Sequence, residues 1–401
     1  MAEMAMEMET PEEASPCRSG GGKRFKLRTT LQASFGAPED PDYVFDIAAS
    51  EDNSVMVVSL STNALKLYSP ISGQFLGDCL GHTDTINDVL FPDVKVPQLF
   101  CSCSSDGSVR VWDTRMRQQV TLLHSQQSLE RFSVSVGGSS SNLFAAGGNA
   151  KVLFWDWRTG KELACLEQCH TEDVTQVHFH PTRKEKLVSA SVDGLMCSFN
   201  TLGEINDDEG LDMVMGVGTS VGRIGFFGKS HEAIWCLTHI ETLSIWDLEE
   251  GSKVADFGDT RTKASANWAL PSADYLIYCH YSPGVERLWL IAGNNSGSLG
   301  YFPVTYSDNQ ANGSNNTGVV GPASAVLDGG HRGVVRSVWS PSHCKDNPTE
   351  HAGLFCWTGG EDGRLCSWYE GDIDTDRSHA WASKALVVRR SSHKKPRNKP
   401  Y

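Results

Sequence analysis

Long apolar runs are missing: no stretch of the 401 residues approaches the ~18 uncharged apolar positions that a bilayer-spanning helix needs. The start, MAEMAMEMETPEE, carries five Glu and no Lys or Arg where a signal peptide would be positive, so neither secretion nor membrane insertion is expected. Densely spaced cysteines are missing as well. The twelve present run from Cys17 to Cys366, a usage that fits reduced thiols in cytosol or nucleus. Helical periodicity sustained over a dozen residues is nowhere found. Basic charge is scarce outside one end: the net charge is −14, residues 384–401 hold seven Lys/Arg and no acid, and residues 1–383 therefore carry −21. A body that negative repels phosphate backbones, so direct nucleic-acid contact is not expected except through the tail.

The motifs of several chemistries also fail on inspection. SGGGKR at 19–24 has Cys17 where a phosphate loop needs its first Gly and Arg24 where it needs Ser or Thr. GVGTSVG at 216–222 has the wrong spacing for a dinucleotide loop, and HEAIW at 231–235 lacks the second His of a zinc helix. Cys165, Cys169 and His170 form C-x3-C-H, but no second pair completes a four-ligand site. No cofactor, metal or small-molecule substrate is expected.

What is present is glycine, 38 of them, recurring at a fixed offset from an aromatic. Gly107 precedes Trp112 by five residues, as Gly194 precedes Phe199, Gly297 precedes Phe302 and Gly363 precedes Trp368. ALKLY, KVLFW and LSIW end alike at Tyr68, Trp155 and Trp246. Successive aromatics are 44, 43, 44, 47, 56 and 66 residues apart, which makes seven units. Within a unit, short apolar runs flank Asp-Gly or related turns, where Gly takes up positive φ without steric cost. A period of about 40–45 residues with four short strands specifies an all-β propeller, and closing the ring removes the exposed edges of an open sheet.

Two units carry a fuller pattern. Gly81-His82 opens the second and FCSCSSDGSVRVWD closes it; Gly330-His331 opens the seventh and FCWTGGEDGRLCSW closes it. These segments resemble the WD40 family, and the resemblance covers roughly residues 43 to 369. The resemblance implies a seven-bladed propeller with buried hydrogen-bonded tetrads: His82, Ser102, Asp106 and Trp112 in one, His331, Thr358, Asp362 and Trp368 in another. The fourth unit keeps His170, Ser189 and Asp193 but has Phe199-Asn200 where the Trp-Asp pair belongs. The other units lack most of the tetrad and should rest on apolar packing. Such rings close with a strand from one terminus; FKLRTTLQASF, residues 25–35, alternates as a strand should and would pair outside Leu365–Trp368.

The expected organisation is a disordered acidic and Gly-rich arm at 1–23, the propeller at 24–370, and an extension at 371–401 ending in a basic tail. Residues 200–212, 306–322 and 340–353 read as mobile loops. Functionally the chain reads as a non-enzymatic platform for protein partners. Ser102, His82 and Asp106 could pass for a hydrolase triad, yet the trio recurs at structural positions in three units. Trp112-Asp113-Thr-Arg115 and Trp155-Asp156-Trp-Arg158 are similar to the motif by which many WD40 proteins dock onto the damaged-DNA-binding adaptor of cullin-4 ubiquitin ligases. The second copy departs in having Asn149 in place of an acid. The basic residues Arg389, Arg390, Lys394, Lys395, Arg397 and Lys399 read as a nuclear import signal, so nucleus and cytoplasm are the expected compartments. The alternative use is as an assembly scaffold for nuclear or nucleolar factors, for example in ribosome biogenesis.

Overall fold

The computed structural model describes residues 23–33, 41–92, 96–125, 130–138, 142–207, 209–268, 270, 272–306, 317–341 and 354–370. Residues 1–22 of the arm, the C-terminal extension with its basic tail, and residues 208, 307–316 and 342–353 of the three loops lie outside these residues, while Lys23, assigned to the arm from sequence, begins the first strand.

Six sheets make seven four-stranded blades. Blade 1 is β2 (Val44–Ala49), β3 (Met56–Leu60), β4 (Ala64–Tyr68) and β5 (Phe75–Leu80); blade 2 is β6 (Ile86–Leu90), β7 (Leu99–Ser104), β8 (Ser108–Asp113) and β9 (Gln118–His124). Blade 3 is β10 (Arg131–Gly137), β11 (Leu143–Gly148), β12 (Val152–Asp156) and β13 (Lys161–Leu166); blade 4 is β14 (Val174–Phe179), β15 (Lys186–Ser191), β16 (Leu195–Asn200) and β17 (Leu211–Gly216). Blade 5 is β18 (Val221–Phe227), β19 (Ala233–Thr238), β20 (Thr242–Asp247) and β21 (Lys253–Asp259). Blade 6 is β22 (Tyr275–Ser282), β23 (Arg287–Gly293), β24 (Leu299–Thr305) and β26 (Ala325–Leu327), with β25 (Val319–Val320) beside β24. Blade 7 is β27 (Val335–Trp339), β28 (Leu354–Gly360) and β29 (Arg364–Glu370), completed by β1 (Lys23–Gln32).

That last strand is the ring closure expected from the sequence. It runs antiparallel to β29, with Leu27 opposite Trp368 and Leu31 opposite Leu365. It also does something the sequence did not suggest. Lys23 and Arg24 pair parallel with Ala325 and Val326, so the outer strands of blades 6 and 7 join and the two blades form one continuous sheet.

The core is distributed as seven wedges, one between each pair of neighbouring blades. This explains the aromatic period. Tyr68, Trp112, Trp155, Phe199, Trp246, Phe302 and Trp368 all lie on the third strand of their blades, all are buried, and each fills the wedge against the preceding blade. One large ring per unit supplies the apolar area that a thin sheet cannot bury within itself.

One short element was not expected, and one reading needs correction. A seven-residue helix, α1 (Thr260–Ala266), follows β21; Asp259 caps it by accepting from the Thr262 N–H. It is too short to leave a periodic signal, and among the described residues no helix is long and apolar enough to cross a membrane. The loop at 200–212 is also held in place: Asp207 accepts from the N–H groups of Glu167 and Gln168, and Ile205 packs into the wedge between blades 3 and 4.

Candidate protein-docking site

The chain enters each blade along its inner strand, so the loops fall on two faces by topology. Turns joining the second strand to the third, and connections from outer strand to next inner strand, lie on one face; turns joining the third strand to the outer one lie on the other. The tetrad residues lie towards the first face and the W-D-x-R segments sit at the second.

In blade 2, His82 Nδ1 lies 2.8 Å from Asp106 Oδ2 and its Nε2 2.7 Å from Ser102 Oγ, while Trp112 Nε1 donates to Ser102 Oγ at 2.9 Å. Blade 7 repeats the arrangement with His331, Asp362, Thr358 and Trp368 at 3.0, 2.8 and 2.9 Å. In blade 4, His170 bridges Asp193 at 3.0 Å and Ser189 at 2.7 Å. Burial outweighs the adjoining carboxylates and holds His82 and His170 below the ordinary histidine range. Burial lowers His331 too, but there the favourable contacts, the bond to Asp362 foremost, outweigh it and raise the imidazole to about 9. Burial raises the Asp106 carboxyl, but bonds from Ser108 and His82 more than offset it and bring it down to about 2.

Blade 4 also shows what the indole requires. A Cβ on Gly330 would meet Trp368 at 2.7 Å, and one on Gly81 would meet Trp112 at 3.1 Å. Where the ring shrinks to Phe199, the residue before the histidine is Cys169, which packs into the same wedge. With both His170 nitrogens engaged, the C-x3-C-H run has no imidazole to offer, and among the described residues no group of three metal-ligating side chains is found.

On the opposite face, Asp113 organises its whole turn. Its carboxylate accepts from the N–H groups of Arg115 and Met116 at 2.8 and 3.2 Å and from Arg115 Nη2 at 2.9 Å, and the Arg115 bond is the main cause that carries it down to about 2. Asp156 does the same one blade on, accepting from the Arg158 N–H at 2.9 Å and from Nη2 at 3.4 Å. The aspartates are shielded, whereas the Arg115 and Arg158 side chains are 71% and 64% exposed. Each guanidinium is therefore fixed along one edge with its other donors turned to solvent, a preorganised fork for a carboxylate or carbonyl. Trp112 and Trp155 are buried and present nothing to a partner; they anchor the strand that ends in the turn. Blade 5 shows the aspartate's role without the fork: Asp247 accepts from Glu249 and Glu250 N–H, but no arginine follows. Asn149, which weakens the second motif, bridges Glu130 N–H and Asp173.

Sequence reasoning passed over two features. Arg117, in the turn after Arg115, donates through Nη1 to the Leu76 carbonyl at 3.1 Å and so ties blade 2 to the outer strand of blade 1. On the tetrad face, a cavity of about 520 Å³ opens at the mouth of the central channel, with Arg223, Glu241 and Arg336 in its wall. The signal for the first lay in the basic turn D-T-R-M-R; nothing local marks the second, because its lining comes from five blades.

Comparison with known proteins bears on this architecture directly. A profile of the family described as WD domain, G-beta repeat matches residues 73–113 and 160–200. Each match starts at the outer strand of one blade and ends on the third strand of the next, which is why the last unit needs a strand from elsewhere. The chain is 46% identical to WD repeat-containing protein GTS1 of Arabidopsis thaliana over 406 residues, covering 100% of this chain and 99% of that one. It is 33% identical to the WD repeat-containing protein 89 homolog of Dictyostelium discoideum, over 67% of this chain and 72% of that protein. It is 27% identical over 179 residues to DDB1- and CUL4-associated factor 10 of Homo sapiens, 42% of this chain and 31% of that one. With matched repeats on the blades that hold two of the His-Ser-Asp trios, and one relative aligned along its whole length, the chain belongs to the WD40 repeat family of β-propeller scaffolds.

Proposed function

We propose that this propeller is a substrate receptor of a cullin-4 ubiquitin ligase, with the adaptor docking on Arg115 and Arg158 and the target taken on the opposite face. The observation that carries the reading is the pair of exposed guanidiniums, each held by an aspartate of its own turn, at equivalent places in adjacent blades. Local similarity to a DDB1- and CUL4-associated factor supports it. The channel mouth with its cavity supplies a separate surface for a target. We assign no turnover to the chain: Ser102 and Ser189 are buried, and their hydroxyls are committed to histidines that face aspartates in every blade where the trio occurs.

The test is capture of the adaptor by wild type beside an Arg115→Ala, Arg158→Ala variant. The double variant should lose the adaptor while retaining other partners, and an adaptor never recovered with wild type would overturn the reading. A second use, as a nuclear or nucleolar assembly scaffold, draws support from the seven basic residues of 384–401 on an otherwise acidic chain. On that basis we place the protein in both nucleus and cytoplasm.

A further inference from the structure

The outer strand of a blade faces solvent, and its outward positions are ordinarily polar. In blade 5 they are: β21 turns Lys253, Asp256 and Asp259 outward. Blades 1 and 2 break that rule most, and β17 of blade 4 does so with Leu211 and Val214. Phe75 and Leu76 on β5, Met116 in the turn before β9, and Val120 and Leu122 on β9 are exposed, Met116 by 59% and Phe75 and Val120 each by 49%. They form one arc. Arg117 bridges the two blades through the Leu76 carbonyl, and its stem lies over Gly77, where a Cβ would meet Arg117 Cδ. Leu163 on β13 extends the arc to blade 3.

The charge around this arc is mainly basic, with Asp78 on β5 and the half-buried Glu162 on β13 as its acids. The turns of blades 2 and 3 expose Arg115, Arg117, Arg158 and Lys161, while their acids, Asp113 and Asp156, are turned back onto the motif's own arginines. On a chain of net charge −14, this rim is basic with an apolar centre. Scattered exposed apolar residues need no explanation, but a set on adjoining outer strands beside cations fixed by their own turns has the anatomy of an interface.

We infer that the ligase adaptor covers this apolar arc as well as the two arginines, so that its docking surface extends from the rim onto the outer strands of blades 1 and 2. The inference rests on the cullin-4 reading and names what that reading leaves open. The complementary patch on the adaptor presents carboxylates around an apolar centre. The arginines set orientation and steer encounter, and burial of Leu76, Met116 and Val120 slows dissociation.

The experiment measures binding of the purified DDB1 adaptor to the full-length chain by biolayer interferometry. Three forms are compared: wild type, the Arg115→Ala, Arg158→Ala variant, and a Leu76→Ser, Met116→Ser, Val120→Ser variant. The three serine positions are exposed, so an unchanged circular dichroism spectrum and melting temperature are expected. The serine variant should bind at least tenfold more weakly, mainly through faster dissociation, and that ratio should persist as salt is raised. The arginine variant should lose affinity and most of its salt dependence. If the serine variant binds as wild type does while the arginine variant fails, the inference is overturned and the receptor reading stands. If wild type itself does not bind, the reading falls and takes the inference with it.

Discussion

The pairing of glycine with indole at the entry to a blade makes the most exacting prediction. In blade 7, Gly330 needs no left-handed backbone, yet a Cβ there would meet Trp368 Cζ2 at 2.7 Å, Trp368 Cη2 at 3.0 Å and Cys366 Sγ at 3.2 Å. The Trp368 ring is buried and held by its bond to Thr358, so it has nowhere to move. Gly330→Ala should therefore destabilise by about 1–3 kcal/mol through overpacking. Trp368→Phe should cost about 1 kcal/mol for the lost hydrogen bond and a further 1–2 kcal/mol for the vacated volume. Thr358 keeps its bond to His331, so no buried hydroxyl is orphaned.

Together the two changes approach the arrangement already present in blade 4, where Cys169 stands beside Phe199. The methyl then occupies space the indole has left, and alanine gains about 0.4–1 kcal/mol from the smaller entropy of the unfolded chain. The double variant should be no less stable than Trp368→Phe alone, which corresponds to a favourable coupling of about 2 kcal/mol. Urea unfolding followed by far-ultraviolet circular dichroism reads this without relying on tryptophan fluorescence. If the two costs add to within about 0.5 kcal/mol, steric exclusion by the indole is not why glycine stands before the histidine.

Other expectations follow from the same geometry. The Asp106 carboxyl lies at about 2 in the fold against an ordinary 3.8, so its ionised form stabilises the native state above about pH 4, and this contribution is lost as pH falls towards 2. Asp106→Asn should be less stable than wild type at pH 7 and show a shallower acid limb; equal slopes from pH 4 to 2 would remove Asp106 from the account. Replacing Leu27 and Leu31 with Asp should loosen β1, expose the edges of β26 and β29, and produce aggregation well below the wild-type melting temperature. Deleting residues 388–401 should lower nuclear content in fractionated cells, and an unchanged distribution would refute the import signal.

Much of the candidate site was legible because its parts are local. W-D-x-R spans four residues, and the aspartate acts on N–H groups two and three positions away, so the turn that fixes Arg115 is encoded where it stands. The trios were legible for a related reason: a Ser or Thr four residues before an Asp, with a His upstream, recurs in blades 2, 4 and 7 and marks a shared structural place. The apolar arc was not, because Phe75 and Val120 look like ordinary strand residues until one knows that β5 and β9 are outermost. Nothing in FLGDCL or QQVTLLH marks those side chains as solvent-facing, and only neighbours in space decide it.

The division between chain and fold has one physical origin. Strand length, turn chemistry and one buried aromatic per unit are short-range properties, and repeated seven times they determined the blade, the count and the closing strand from sequence alone. Contacts between distant segments carry no such period. The parallel pairing of Lys23 and Arg24 with Ala325 and Val326, the bridge from Arg117 to Leu76, and the channel mouth lined from five blades were decided only when the ring closed and brought those segments together.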